Sequence, residues 1–146
     1  MRLAKTMQVP IFISEQYPQG LGPTSAVLKE LATDVPSLDK TEFSCAANAK
    51  MLSAIETFRR EQVIICGIET HVCVMQTSIE LANLGKHVFV VTDATSTRNL
   101  EDKHQALERM AKHPTIQLVT REMVLFEWLK QSGTSLFKEV SKHFLI

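Results

Sequence analysis

The sequence predicts an α/β protein built on a mostly parallel sheet with helices on both faces. Three observations predict it. Short runs such as "VIIC" (Val63–Cys66) and "HVFVVTDA" (His87–Ala94) are apolar with little alternation, as in strands buried on both sides. Stretches of helical periodicity separate them. The 146 residues, 45% apolar and 22% charged, suit one domain with a sizeable core.

The elements follow in order. "RLAKTMQ" (Arg2–Gln8) reads as the tail of a helix, and "PIFIS" (Pro10–Ser14) as a buried strand. "SAVLKELA" (Ser25–Ala32) reads as a short helix with Thr24 or Ser25 as its cap. "CAANAKMLSAIETFRR" (Cys45–Arg60) places Met51, Leu52, Ile55 and Phe58 on one helical face. The strand "VIIC" then leads through a turn into a helix ending at Leu84, with Gly85 at the left-handed position that follows a helix. After "HVFVVTDA" comes the helix "NLEDKHQALERMAKH", stopped by Pro114. "TIQLVT" is a last strand and "REMVLFEWL" a last helix before a polar tail. Met7, Met51, Met75, Met110 and Met123 read as core filler.

The bulk numbers exclude several function classes. Sixteen basic and sixteen acidic residues give zero net charge, which points to neither nucleic acid nor an anionic membrane. No apolar run reaches the ~18 residues of a transmembrane helix, and no signal-peptide core precedes "PIFIS". The three cysteines, Cys45, Cys66 and Cys73, fit neither a zinc pattern nor a disulfide framework. Reduced thiols in the cytoplasm are the expectation.

In parallel sheets, ligands sit beyond the carboxyl ends of the strands. Those ends are "SEQYPQGLGPT", "GIETHVC", "TDATSTR" and "TRE". Cys73 lies at such an end. With Thr70 as cap it would be the third helical residue, where free N–H groups and the positive end of the helix favour a thiolate. The alternative, a small buried apolar residue, stays open for Cys73; Cys66, inside a buried strand, is assigned to it. Lys40, in "LDKTEFSC", is either a solvated surface lysine or a cation serving a thiol. His71, near Cys73 in sequence, is expected to be a pocket-wall or surface residue rather than a base, and Asp93 to cap the "ATSTR" loop rather than do chemistry. Glu15, Gln16 and Tyr17 end a strand and are candidate pocket residues, with Phe43, Thr70 and His71.

"DKTEFSC" (Asp39–Cys45), followed by "VIICGIETHVCVMQTSIELANLGKHVFVVTDATSTR" (Val63–Arg98), resembles the isochorismatase-like cysteine hydrolase family. "EQYPQGLGPT" (Glu15–Thr24) resembles the branch of isochorismatase domain-containing proteins. The resemblance runs from Leu3 to about Phe126. It implies a three-layer αβα fold with a Rossmann-like sheet and a triad of Asp, Lys and Cys. Cys73 matches the nucleophile and Lys40 the lysine. It also implies a cis peptide between Ile68 and Glu69, with the amides of Glu69 and Cys73 forming an oxyanion hole. A homo-oligomer is implied as well.

One part of the pattern is absent. The family's aspartate ends a first strand that lies between "PIFIS" and "VIIC". None of Asp34, Asp39, Asp93 and Asp102 ends an apolar strand in that context. The expectation is one domain over residues 1–146, incomplete at its N-terminus, with the first central strand missing. The metal site of the family's amidase branch has no counterpart, because "EQYPQGLG" contains no histidine. No metal and no cofactor are expected. The function expected is hydrolysis of a small amide or related carbonyl compound through a thioester. The alternative is a non-catalytic homologue or fragment acting by binding or assembly.

Overall fold

The computed structural model describes residues 1–144. The chain is an α/β protein with strands β1 (Ile13–Gln16), β2 (Ser37–Lys40), β3 (Gln62–Ile68), β4 (His87–Ser96) and β5 (Ile116–Val119). Helices α1 (Arg2–Thr6), α2 (Pro18–Leu21), α3 (Ala26–Leu31) and α4 (Ala49–Thr57) occupy the first part. A π-helical turn (Thr70–Val74) runs into α5 (Met75–Asn83). Helices α6 (Leu100–Ala111), α7 (Arg121–Leu129) and α8 (Ser135–Phe144) follow.

Every strand pair is parallel, and the sheet comes in two parts. β1 pairs with β2, and β3, β4 and β5 pair in that order. Among the described residues no ladder joins β1 to β3. The first strand begins at Ile13 rather than Pro10. Proline has no N–H to give to a ladder, so pairing starts beyond it. β2 was not expected as a strand. It holds only Ser37, Leu38, Asp39 and Lys40, too few apolar residues to show a period.

β3 departs from the two-sided burial expected of it. Its residues alternate between exposed and half-buried. Val63 and Ile65 pack on the core, whereas Ile64, Cys66 and Ile68 face outward. An edge strand covered on one face gives this period-two pattern. Cys66 is therefore exposed and not inside a buried strand. The β3–β4 register shifts between Ile65, opposite Val90, and Gly67, opposite Thr95. Gly67 takes φ 127 at this break, which side-chain-bearing residues rarely adopt. β4 consequently runs past Ala94 and brings Thr95 and Ser96 alongside the turn after β3.

The main core gathers Val74, Leu81, Val88, Val90, Met110 and Ile116 between β3–β5, α5 and α6. Each such side chain contributes roughly 1.5–3 kcal/mol by leaving water. Asn48 starts α4 by accepting the Met51 N–H at 3.1 Å, so the helix begins later than Cys45. The Cys45 N–H is instead spent on Thr77 Oγ1 at 2.9 Å. Gly85 follows α5 at φ 87, in the conformation expected of it. The expected polar tail forms α8. Its Val140 packs with Leu125 and Leu129, and Leu3 of α1 lies against the same cluster. Met51 and Met110 are fully buried, but Met123 is half exposed, its sulfur accepting the Thr120 N–H at the start of α7.

Candidate active site

Three chain segments converge at the carboxyl ends of β1, β2 and β3. Gln16 and Lys40 are register partners at the ends of β1 and β2, so they are neighbours across the strands. Cys73 arrives from the π-helical turn that follows β3.

Lys40 is 4% exposed. Its ammonium donates to Gln16 Oε1 and to the backbone carbonyls of Glu42 and Phe43, both at 2.8 Å. Cys73 Sγ lies 3.8 Å from the same nitrogen and 3.6 Å from Gln16 Oε1. Three N–H groups thus meet three neutral oxygens. Among the described residues Lys40 forms no ion pair with a carboxylate. A buried charge needs a partner; the Glu42 carboxylate feels Lys40 through space without touching it, and the ionisable group in contact with the ammonium is the Cys73 thiol.

Thr70 does not cap a helix from outside. It is the first residue of the π turn, fully buried, and its hydroxyl donates to Ser96 O at 2.9 Å. Cys73 is therefore the fourth residue of a widened turn rather than the third of an α-helix. The N–H groups of Val72 and Val74, on either side of it, both donate to Glu69 O at 3.2 Å. The peptide between Ile68 and Glu69 is cis. Among the described residues the Glu69 N–H has no hydrogen-bond partner, and the Cys73 N–H has none outside its own turn.

The side chains of Glu69 and His71 point into a second network. The Thr97 hydroxyl donates to Glu69 Oε2 at 2.7 Å and sits 2.9 Å from His71 Nδ1. Its single O–H is used on Glu69, so its oxygen accepts from Nδ1–H. His71 Nε2 then faces Asp102 Oδ2 at 3.8 Å. The Thr97 hydrogen bond, helped by the Arg98 N–H, holds the Glu69 carboxyl below its usual range. Thr97 and Asp102 were not singled out in the sequence; the strand-end loop "TDATSTR" was the available signal for the first.

The remaining pocket candidates separate. Glu15 alternates to the other face of β1, where its carboxylate accepts the Thr24 N–H at 2.6 Å. Hydrogen bonding to Thr24 holds that carboxyl low, and the residue fastens the loop instead of lining the site. Tyr17 takes a left-handed conformation and borders a hollow of about 480 Å³ with Gln19, Leu38 and Asn48. Lys40 reaches this hollow but Cys73 does not line it. Phe43 is exposed and contributes its carbonyl. Asp93 does not cap its own loop; it accepts the Arg121 N–H at 2.7 Å and anchors α7. Among the described residues no group of three or more His, Cys, Asp or Glu is arranged to hold a metal.

A family model described as "Isochorismatase domain" matches residues 1–123. The chain belongs to the isochorismatase family. Isochorismatase domain-containing protein 2 of Xenopus laevis is 38% identical over 144 residues, covering 97% of this chain and 68% of its own length. Isochorismatase domain-containing protein 1 of Danio rerio is 36% identical over 94% of this chain, which spans 48% of that protein. A solved structure of the MAR1 ribonuclease of Caenorhabditis elegans is 38% identical with a TM-score of 0.88, covering 99% of this chain and 73% of that one. The octameric YcaC hydrolase of Escherichia coli is 28% identical with a TM-score of 0.89, over 98% and 72%. Within the isochorismatase fold, then, this chain sets Gln16, Lys40 and Cys73 together at one end of its strands.

Proposed function

We propose that the chain acts as a cysteine hydrolase on a small amide or related carbonyl compound. Cys73 is the nucleophile and Lys40 its counter-charge. The thiolate attacks the carbonyl carbon, the C–N bond breaks, and the leaving nitrogen departs with the proton the thiol gave up. Water then cleaves the thioester to acid and free thiol. The amides of Glu69 and Cys73 hold the oxyanion. The observation that carries this reading is the buried Lys40 ammonium, whose other partners are neutral, 3.8 Å from Cys73 Sγ. The free Glu69 N–H supports the oxyanion site. A YcaC structure from Pseudomonas aeruginosa is described as holding covalent acrylamide, an electrophile of the kind a thiolate takes up. The test is a panel of small amides and activated esters, with mass spectrometry of the quenched protein. An acyl adduct on Cys73, lost in Cys73→Ala, is expected; no adduct with any member of the panel would overturn the reading.

One observation favours a second reading, a non-catalytic homologue. Among the described residues no carboxylate contacts Lys40 or Cys73, so no group here collects the thiol proton and returns it. A segment pairing between β1 and β3 and bearing an aspartate would supply one. Comparing the chain from Met1 with an upstream-extended form separates the two readings: equal turnover by both would dispose of the need for such a segment.

The partner is a small molecule, and the zero net charge gives no overall attraction to nucleic acid. A homo-oligomer is supported by half-exposed Met123 and Phe126 on α7 and by the octameric relative. A cytoplasmic site is supported by three free cysteines. No described helix is long and apolar enough to cross a membrane. A relative in Phytophthora sojae carries the name of a secreted effector.

A further inference from the structure

We infer that Gln16 is a positioning residue that holds the Lys40 ammonium in place beside Cys73. The inference rests on the reading of Cys73 as a nucleophile. It begins with register. Gln16 and Lys40 lie opposite each other at the last rungs of β1 and β2, and the Tyr17 N–H closes the ladder onto Lys40 O at 2.8 Å. The two side chains therefore emerge together and meet the third segment, the turn carrying Cys73.

The orientation of the Gln16 amide is set by its surroundings. Its Nε2 donates to Thr41 O at 2.8 Å, which turns Oε1 toward Lys40 and Cys73. The flipped amide would set N–H groups against an ammonium and leave two carbonyl oxygens facing each other. With Oε1 in place, the three N–H groups of Lys40 have three acceptors: Gln16 Oε1, Glu42 O and Phe43 O. The last two belong to one loop. Gln16 is the acceptor supplied by the other strand, and it is what keeps the ammonium from turning away with that loop.

Charge explains why an amide stands here. Oε1 accepts without neutralising the ammonium, so the cation remains available to the sulfur 3.8 Å away. It also lies 3.6 Å from Sγ and can accept the S–H of the protonated thiol. A carboxylate at this point would pair with Lys40 and repel the thiolate.

Gln16→Glu and Gln16→Met test this by alkylation of the full chain with iodoacetamide across pH, read by peptide mass spectrometry, with Cys66 as internal reference. In Gln16→Glu the Cys73 profile should move to higher pH, with a roughly tenfold slower reaction at neutral pH, as a like charge at this range implies. Gln16→Met keeps length but has no carbonyl acceptor, and should slow Cys73 severalfold while Cys66 is unchanged. A purely structural role would not move the pH profile of one cysteine in a variant that melts like the parent. A Glu profile that stays in place or moves to lower pH overturns the inference. Should Gln16→Glu fail to fold, a Met variant that labels like the parent overturns it. If the parent itself does not label Cys73 first, the nucleophile reading has failed, and this inference with it.

Discussion

Lys40→Met removes the charge beside Cys73 and keeps the length of the side chain. Its effect on the thiol can be worked from one distance. Two unit charges 3.8 Å apart attract by about 4 kcal/mol at the effective dielectric of ~20 suited to such sites. Burial of Lys40, 4% exposed, offsets part of this through desolvation. If a third to two-thirds survives, the thiolate loses about 1.4–2.8 kcal/mol on substitution, equivalent to a rate ten- to a hundredfold lower. The assay is competitive labelling of the three cysteines by iodoacetamide near neutral pH, followed by peptide mass spectrometry. In the parent, Cys73 should label ahead of Cys45, which is buried, and of Cys66. Cys66 is accessible, but the protein packed around it pushes its thiol up by desolvation. In Lys40→Met that order should collapse while the Cys66 rate holds. Melting should also fall, because Glu42 O, Phe43 O and Gln16 Oε1 lose their donor. Water reaches the exposed loop carbonyls, so about 1 kcal/mol for each lies at the low end of such losses. A Cys73 rate within twofold of the parent, in a folded variant, would refute the ion-pair argument.

Thr70→Val takes away the buried hydroxyl that donates to Ser96 O and should lower stability by about 1–2 kcal/mol, read as a melting drop of roughly 2–8 °C. Gly85→Ala should cost about 1–2 kcal/mol by calorimetry through φ 87 alone, since an added Cβ meets nothing within 4 Å there. Glu69 has a lowered folded-state value, so what it contributes is present above its unfolded value and disappears as pH falls through the folded one. Acidification through the carboxylate range should therefore loosen the Thr97–Arg98 loop, and Thr97→Val should flatten that part of a stability-against-pH curve.

Most helices and the long strands were legible in the sequence because each carries a period or an apolar run; short α2 and the tail helix α8 were not. α5, β4 and α6 fall where the pattern places them. Cys73 was legible as a site residue because it follows a strand end, whereas Lys40 stood out only through the resemblance carried by "DKTEFSC". β2 was not, since Ser37, Leu38, Asp39 and Lys40 show no run; its existence depends on pairing with β1. The face of β3 was misjudged for a related reason. Val-Ile-Ile-Cys reads as buried on both sides, yet whether a strand is covered is decided by its neighbours, and β3 has a paired neighbour on β4 alone. The π turn was also invisible. A helix start is announced by a capping residue, and Thr70 looked like one until its hydroxyl went to Ser96. The split of Glu15 from Gln16 follows from the strand period, which sends adjacent side chains to opposite faces.

The two parts of the sheet give the site a mechanical meaning as well as a chemical one. β1 and β2 contribute Gln16 and Lys40; β3 contributes Cys73. No ladder joins the parts among the described residues, so other contacts hold them in register. Three of these are polar: the Cys45 N–H on Thr77 Oγ1, Lys40 beside Cys73, and Gln16 beside Cys73. Ala46 and Leu52 add apolar contact with the main core. Two of the three polar links are therefore the site itself. A backbone ladder would fix the parts through many bonds that are indifferent to the charge of a thiol. Here the junction depends on an ammonium, an amide and a sulfur, so the state of the sulfur feeds back on how the parts sit. Alkylating Cys73 puts a bulky neutral group in place of a small sulfur at the seam, and should loosen β1–β2 more than β3–β5. Amide hydrogen exchange should then quicken at Ile13–Gln16 and Ser37–Lys40 while Val88–Val91 stays protected. Equal protection in both parts before and after alkylation would mean that apolar packing alone joins them.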